Sequence, residues 1–307
     1  MKIVIAGGSG FLGEPLVQRL LARGDDVAVL TRNPANVRTG RALQWDPPAQ
    51  GTWSSEVATA DAVVNLAGEN IAGGRWTDKR KRQLVDSRLN ATRAIVEAFR
   101  SAPPHRRVFI QASATGFYGD RQDEELDESS SRGAGFLADL VDQWEGAARA
   151  ADTLARLVVL RFGVVLAKGG GALQKMLLPF QLGGGGPIGS GNQWMPWVDR
   201  DDVLRMIEWA IDNESARGVY NVTAPQPVRN REFAKTLGRV LRRPALLPAP
   251  AFALRLAFGE MADEALLGGQ RVFPRRAERE GFRFEAPALE EALRRTLRAP
   301  GSKIRVP

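Results

Sequence analysis

The stretch Ile3-Val4-Ile5-Ala6-Gly7-Gly8-Ser9-Gly10-Phe11-Leu12-Gly13 decides the fold. A short apolar strand runs straight into a glycine-rich turn, and an amphipathic helix follows with Leu16, Leu20 and Leu21 on one face. Strand, glycine turn and helix in this order make the dinucleotide-binding βα unit. Glycine serves the tight turn, the close approach of backbone to a pyrophosphate and the packing of helix on strand. The phosphates would rest on unpaired N–H groups at the helix N-terminus. Gly7, Gly8, Ser9, Gly10, Phe11, Leu12 and Gly13 are therefore the first candidate cofactor-binding residues. The bland alternative is a glycine-rich turn that holds nothing.

Outward from that turn, composition narrows the chemistry. The 307 residues allow one large or two modest domains, and 44% hydrophobic content fits a globular protein. There is no cysteine, which excludes disulfides, thiolate metal sites and cysteine nucleophiles and fits a reducing cytosol. The sole histidine, His105, sits in the turn Pro103-Pro104-His105-Arg106-Arg107. A histidine metal site or a Ser-His-Asp triad has little to build on, and no metal is expected. Net charge is +8, and 36 of the 43 basic residues are arginine. Lys79-Arg80-Lys81-Arg82 and Arg294-Arg295 lie on apparent helices among carboxylates without interleaved aromatics. They read as solvated helix faces, so no nucleic-acid partner is expected. Met176 to Val198 is uncharged over 23 residues, but its six glycines and three prolines argue against a membrane span. With no signal-peptide pattern at the start, a cytoplasmic location is the expectation.

Asp26 to Leu30 reads as the second strand and ends at Thr31-Arg32-Asn33-Pro34. In such a fold this strand end meets the adenosine ribose, where a carboxylate would bind the 2′-hydroxyl of NAD. Here Arg32 stands instead, and a guanidinium suits a 2′-phosphate, so NADP(H) is favoured over NAD(H). Leu43 to Asp46 reads as a third strand, with Asp46 a candidate neighbour of the adenine. Asp61 to Gly68 is the fourth, and its end, Leu66, Ala67 and Gly68, lets a cofactor lie close to backbone. A helix is expected from about Thr77, its N-cap, to Arg100. Val108 to Ser113 is the fifth strand, and a helix from Phe136 to Ala148 carries one apolar stripe. Leu157 to Gly163 is the sixth.

Beyond Val165 the glycine clusters read as loops that cover a cleft. Asp199 to Asp212 is expected to be helical, Gly218 to Val222 a strand, and Leu289 to Leu297 a last helix, with Asn230 capping a helix that reaches Leu241. The expected fold is α/β, a Rossmann-type doubly wound parallel sheet in residues 1–165 with a smaller C-terminal α/β lobe, 166–307, over the substrate. The strand ends at Gly7, Arg32, Gly68, Ser113 and Gly163 should face one cleft.

These residues resemble the extended branch of the short-chain dehydrogenase/reductases. Gly7, Gly10 and Gly13 fit its G-x-x-G-x-x-G turn, Asn65-Leu66-Ala67-Gly68 its N-x-A-G segment, and Ser113 to Gly119 its serine strand ending in Tyr-Gly. Trp197 to Val203 is similar to the segment that returns the chain to the nucleotide-binding domain, over about 198–222. More narrowly, Gly68-Glu69-Asn70-Ile71 with Arg75-Trp76, Asp86-Ser87-Arg88, Trp144-Glu145, Leu160 to Leu166 and Leu266 to Val272 resemble the atypical family labelled nucleoside-diphosphate-sugar epimerase, including its own C-terminal domain. That resemblance adds Arg88, Ala112 and Arg161 to the candidate cofactor-binding residues. It implies a small-molecule substrate, a sugar nucleotide or phosphorylated metabolite among them, and a homodimer.

The superfamily works with a tyrosine and a lysine four residues later, and here the positions four after Tyr118 and Tyr220 are Gln122 and Ala224. Leu137 and Val141 stand where the pair would fall. In one reading, an NADP(H)-dependent epimerase or reductase, Ser113 polarises a carbonyl or hydroxyl and Tyr118 or Glu69 moves the proton. Arg75 or Arg88 would then lower the Tyr118 pKa. In the other, the protein holds NADP(H) for structure or sensing and catalyses nothing.

Overall fold

Runs such as Ile3-Val4-Ile5 and Val27-Ala28-Val29-Leu30 are apolar at every position, so both faces of their strands must be covered. The computed structural model describes residues 1–49 and 51–298. Its strands are β1 (Lys2–Ala6), β2 (Asp26–Thr31), β3 (Arg41–Gln44), β4 (Ala62–Asn65), β5 (Val108–Ala114), β6 (Glu125–Leu126), β7 (Arg156–Phe162), β8 (Val164–Leu166), β9 (Trp194–Met195), β10 (Trp197–Asp199), β11 (Gly218–Val222), β12 (Val228–Arg229) and β13 (Arg271–Val272). The helices are α1 (Gly13–Ala22), α2 (Trp53–Ala58), α3 (Asp78–Arg100), α4 (Phe136–Arg149), α5 (Gly171–Gln181), α6 (Arg200–Asp212), α7 (Asn230–Leu241), α8 (Ala251–Phe258), α9 (Glu260–Ala262), α10 (Arg275–Arg279) and α11 (Leu289–Arg298).

Seven strands form one parallel sheet in the order β3-β2-β1-β4-β5-β7-β11. The chain winds outward from β1 to β3, then crosses back to β4 on the other side of β1. That reversal opens a crevice beyond the carboxyl ends of β1 and β4, the position where such sheets bind ligands. Ile3, Ile5, Val27 and Val29 pack with Leu16 and Leu20 of α1 and Val203 and Ile207 of α6 on one face. Val4, Ala28 and Val63 pack with Val57 of α2 and Ile95 and Phe99 of α3 on the other. A third core joins Leu173 and Leu177 of α5, Phe233 and Leu237 of α7 and Leu293 of α11 around Trp197.

Thr77 caps α3 as its sequence suggests: its Oγ1 accepts from the Arg80 N–H at 3.2 Å. Asp199 does the same for α6, accepting from Asp201 N at 2.9 Å. Asn230 does not cap α7. Arg229 holds that place, and Asn230, the first helical residue, turns its Oδ1 to the Ile188 N–H at 2.7 Å. The glycine-rich stretch expected to be loop contains α5, because Leu173, Leu177 and Phe180 recur at helical spacing and bury one face. Met176–Val198 is thus shared between that helix, a glycine-rich connection and β9 and β10. No helix among the described residues is long and apolar enough to cross a membrane.

Candidate functional site: a nucleotide cleft and an inner cavity

The crevice at the β1–β4 switch is a cleft of about 450 Å³ lined by Gly7, Ser9 and Gly10 of the turn, Thr31 and Arg32 after β2, and Leu66, Ala67 and Gly68 after β4. Close approach of backbone explains the glycines. A Cβ on Gly13 would lie 2.2 Å from the Gly7 carbonyl oxygen, and one on Gly7, whose φ is +79°, would lie 3.0 Å from the Leu66 carbonyl. Among the described residues the backbone amides of Phe11, Leu12 and Gly13 donate no hydrogen bond, and Leu12 gives α1 no side-chain cap. An anion at this helix N-terminus would satisfy them. Arg200, whose buried Nε also has no partner, lies over the Phe11 ring at 5.8 Å. The residues present fit a dinucleotide pyrophosphate.

Beyond the end of β2 the cleft is lined by Asn33, Asn36, Trp45 and Asp46 besides Arg32. Arg32 is 74% exposed, and its Nη2 lies 3.4 Å from Glu69 Oε1. The other Glu69 oxygen meets Arg80 Nη1 at 3.4 Å. Glu69 therefore belongs to the nucleotide cleft, between two arginines. It does not line the inner cavity, so the proton-moving role expected of it finds no geometric support. Trp45, whose buried indole N–H has no partner, escaped the sequence reading because an aromatic at a strand end reads first as core.

Arg88 does not reach the cleft. Its Nη2 donates to the Glu69 carbonyl at 3.1 Å and its Nη1 to the Leu84 carbonyl at 3.0 Å, so it supports the Gly68–Glu69 turn from behind. Burial pushes its guanidinium down to about 10, against the attraction of Glu69. Gly68 must be small here, since a Cβ would sit 3.1 Å from Arg88 Cζ. Phe11 packs on Gly170 and Gly171, which ties the glycine turn to the C-terminal half.

Ser113, Tyr118 and Arg161 come together, but behind the clefts. The Ser113 hydroxyl donates to Glu145 Oε1 at 2.6 Å, and Glu145 and Arg161 form a bidentate pair at 2.8 Å on both arms. Arg161 Nη1 donates to the Tyr118 hydroxyl at 3.0 Å. That hydroxyl lies 2.8 Å from Asn221 Oδ1 and 2.9 Å from the Asp127 carbonyl, either of which accepts its one proton. All four side chains are buried, and the Arg161 guanidinium also stacks on Phe117 at 3.5 Å. Burial raises the Tyr118 pKa against the pull of Arg161, the opposite of what proton transfer near neutrality needs. Neither Arg75 nor Arg88 is the cation beside it. The roles expected of Ser113 and Tyr118 are corrected accordingly, because both hydroxyls are engaged inside a closed network. Ala112 is likewise buried, against Leu89 and Trp144.

A second cavity, of about 260 Å³, opens where β5 and β7 end and the C-terminal half folds over them. Ala114 at the end of β5 and Thr115 just after it, Leu137 of α4, Gly163 after β7, Met176 of α5 and Gln270 before β13 are among its walls. The strand ends do not share one cleft: Gly7, Arg32 and Gly68 line the first, Gly163 the second, Ser113 neither. Leu137, the position matched to the superfamily's tyrosine, does face the second cavity. Glu264 also reaches it, but both its oxygens accept from the N-terminus of α4, from Phe136 N at 2.7 Å and Leu137 N at 2.8 Å. Among the described residues the Thr115 hydroxyl and the Gln270 amide make no hydrogen bond. Nothing in their local sequence marks them, since they converge from positions 155 apart in the chain.

Comparison with known proteins agrees with this construction. The model of the NAD dependent epimerase/dehydratase family matches residues 3–223, and a domain of unknown function, DUF1731, matches residues 249–296. The chain is similar to human epimerase family protein SDR39U1, 39% identical over 297 residues that cover 96% of this chain and 99% of the human one. It is 38% identical to epimerase family protein YfhF of Bacillus subtilis over 297 residues, 95% of this chain and 97% of that one. The crystal structure of human SDR39U1 with NADPH superimposes with a TM-score of 0.87 at 36% identity, covering 96% of this chain and 99% of that one. The chain belongs to the NAD dependent epimerase/dehydratase family of extended short-chain dehydrogenase/reductases, with the DUF1731 domain at its C-terminal end.

Proposed function

We propose that this chain is an NADP(H)-dependent oxidoreductase of small molecules, with residues 1–165 and the returning segment 198–222 holding the cofactor and residues 166–307 covering the substrate. The observation that carries the reading is Arg32 at the end of β2, lining the cleft where NAD-binding relatives of this fold would need a carboxylate. Gly7 to Gly13 would hold the pyrophosphate on free amides, Arg32 the 2′-phosphate, and Thr31, Asp46, Leu66, Ala67 and Gly68 the adenosine half. Arg88 and Arg161 act through other groups, Arg88 fixing the Gly68–Glu69 turn and Arg161 with Glu145 the end of β5, while Ala112 is buried in the core against Leu89 and Trp144. The crystal structure of human SDR39U1 with NADPH supports the choice of cofactor. When bound, the nicotinamide supplies or accepts a hydride. In the inner cavity Thr115 and Gln270 offer neutral hydrogen bonds to a reacting oxygen, and the apolar wall excludes water.

One observation favours a second reading, in which the protein holds NADP(H) without turnover: among the described residues no tyrosine or lysine lines the inner cavity. Calorimetric titration of NADPH and NADH tests the cofactor site. Incubation with NADPH deuterated at C4 and a metabolite extract, read by mass spectrometry, tests turnover. Label in one compound, or enzyme-dependent formation of an isomer, supports the oxidoreductase reading. Tight NADPH binding with neither supports the second.

A further inference from the structure

Resting on the reading above, we propose that the inner cavity takes a small, uncharged, mostly apolar carbonyl or hydroxyl compound, held through its oxygen by Thr115 and Gln270, and that it does not take a sugar nucleotide. The charge of the wall carries the argument. Among the described residues no arginine, lysine or histidine lines this cavity, in a chain whose net charge is +8. A nucleoside diphosphate brings two negative charges, and burying an anion without a cation or a set of free donors is strongly unfavourable. The single ionisable wall residue, Glu264, would repel an anion further, and it is occupied in holding α4.

The remaining polar groups are neutral. Gln193 Nε2 donates to the Ile188 and Leu266 carbonyls, and Asn230 Oδ1 accepts from Ile188 N, so one end of each amide is used in shaping the wall. Thr115 and Gln270 have their hydrogen-bonding groups free among the described residues, one from the β5 end and one from the C-terminal half. Two neutral groups against Ala114, Leu137, Phe162 and Met176 match a compound with one polar end. The size agrees, because about 260 Å³ lies below the roughly 300–1,000 Å³ of sites for drug-sized ligands. Two arginines line a neighbouring groove on the far side of Gln193 and Trp194, outside the cavity: Arg229 is tied to Asp123 at 2.7 Å and to the Asn192 carbonyl at 2.6 Å and lies over the Trp194 ring, whereas the Arg231 side chain makes no hydrogen bond among the described residues.

The test is saturation-transfer NMR on the full chain, with and without NADPH, using acetophenone and benzoate as neutral and anionic probes of similar size, and UDP-glucose as the sugar nucleotide. Acetophenone should bind at least about tenfold more tightly than benzoate, and UDP-glucose should give no signal from the inner cavity. Ala172→Phe, which adds bulk to the wall from α5, should abolish acetophenone binding, and Gln270→Leu should weaken it by roughly twofold to tenfold, the range of one lost neutral hydrogen bond. Binding of benzoate or UDP-glucose that equals that of acetophenone and disappears in Ala172→Phe would overturn the proposal, as would the absence of acetophenone binding. NADPH affinity, measured by calorimetry on the same variants, separates the two readings. If NADPH fails to bind while the probe preference holds, the cofactor reading falls and the cavity assignment stands.

Discussion

The nucleotide cleft and the inner cavity are made of opposite materials. The cleft is built from strand ends of successive βα units, carries charge, and offers donors with nothing to bind. The cavity is built from segments that lie between Ile71 and Gln270, is apolar, and is braced from behind by a buried polar network whose members satisfy one another. A site for a polyanion can be assembled by backbone at one turn, because helix N-termini and glycines are local devices. A site for a small apolar molecule needs shape, and shape comes only from packing distant elements.

Disrupting the brace should have the largest effect. Glu145→Gln leaves the Arg161 guanidinium buried without its countercharge, and breaking such a pair costs about 3–5 kcal/mol. Urea denaturation should show that loss, and a variant as stable as the wild type would mean that the network is not a structural support. Next is Gly13→Ala, whose new Cβ would meet the Gly7 carbonyl at 2.2 Å. Overpacking of this kind costs about 1–3 kcal/mol. Because the turn itself must shift, NADPH should raise the melting temperature of the wild type but not of this variant.

Arg32→Ala sharpens the comparison, since it removes one charge and leaves the turn intact. NADPH affinity should fall by about 1.5–3 kcal/mol, the worth of hydrogen bonds to a charged group, while NADH affinity stays unchanged in calorimetry. Equal loss for both cofactors would move the 2′-phosphate elsewhere. The smallest effect is expected away from both sites. Burial and the hydrogen bond to Glu280, at 2.6 Å, push the Tyr220 hydroxyl up to about 12 from its ordinary value near 10. The folded state therefore prefers the protonated phenol. Its contribution is fully present below about pH 10 and fades as pH rises toward about 12. Tyr220→Phe should lose less stability than the wild type between about pH 10 and pH 12 in urea melts, with NADPH binding unaltered.

Residues 3–13 were enough to announce a parallel nucleotide-binding sheet, because a fully apolar strand, a glycine turn and an amphipathic helix leave few other arrangements. Arg32 was legible as a cleft residue for a similar reason: the end of β2 lies a short way along the chain from the glycine turn. The α5 helix was not, since glycines around it mask three apolar residues at helical spacing. Ser113 and Tyr118 misled in a different way. Their types suit catalysis, but Glu145 and Asn221 engage them from positions 32 and 103 residues away. Leu137 could be matched to a superfamily position, yet that it forms part of a cavity wall depended on α4 packing against the Thr115–Tyr118 turn.

By itself the sequence determined the doubly wound sheet, the glycine turn and the arginine after the second strand, all of which follow from short-range patterns. Only the tertiary structure decided which hydroxyls are closed off, which are free, and that Thr115 and Gln270 line one cavity whose described wall holds no cation. Hydrogen-bond partners and the polarity of a wall are properties of groups brought together across the chain, and no local pattern encodes them.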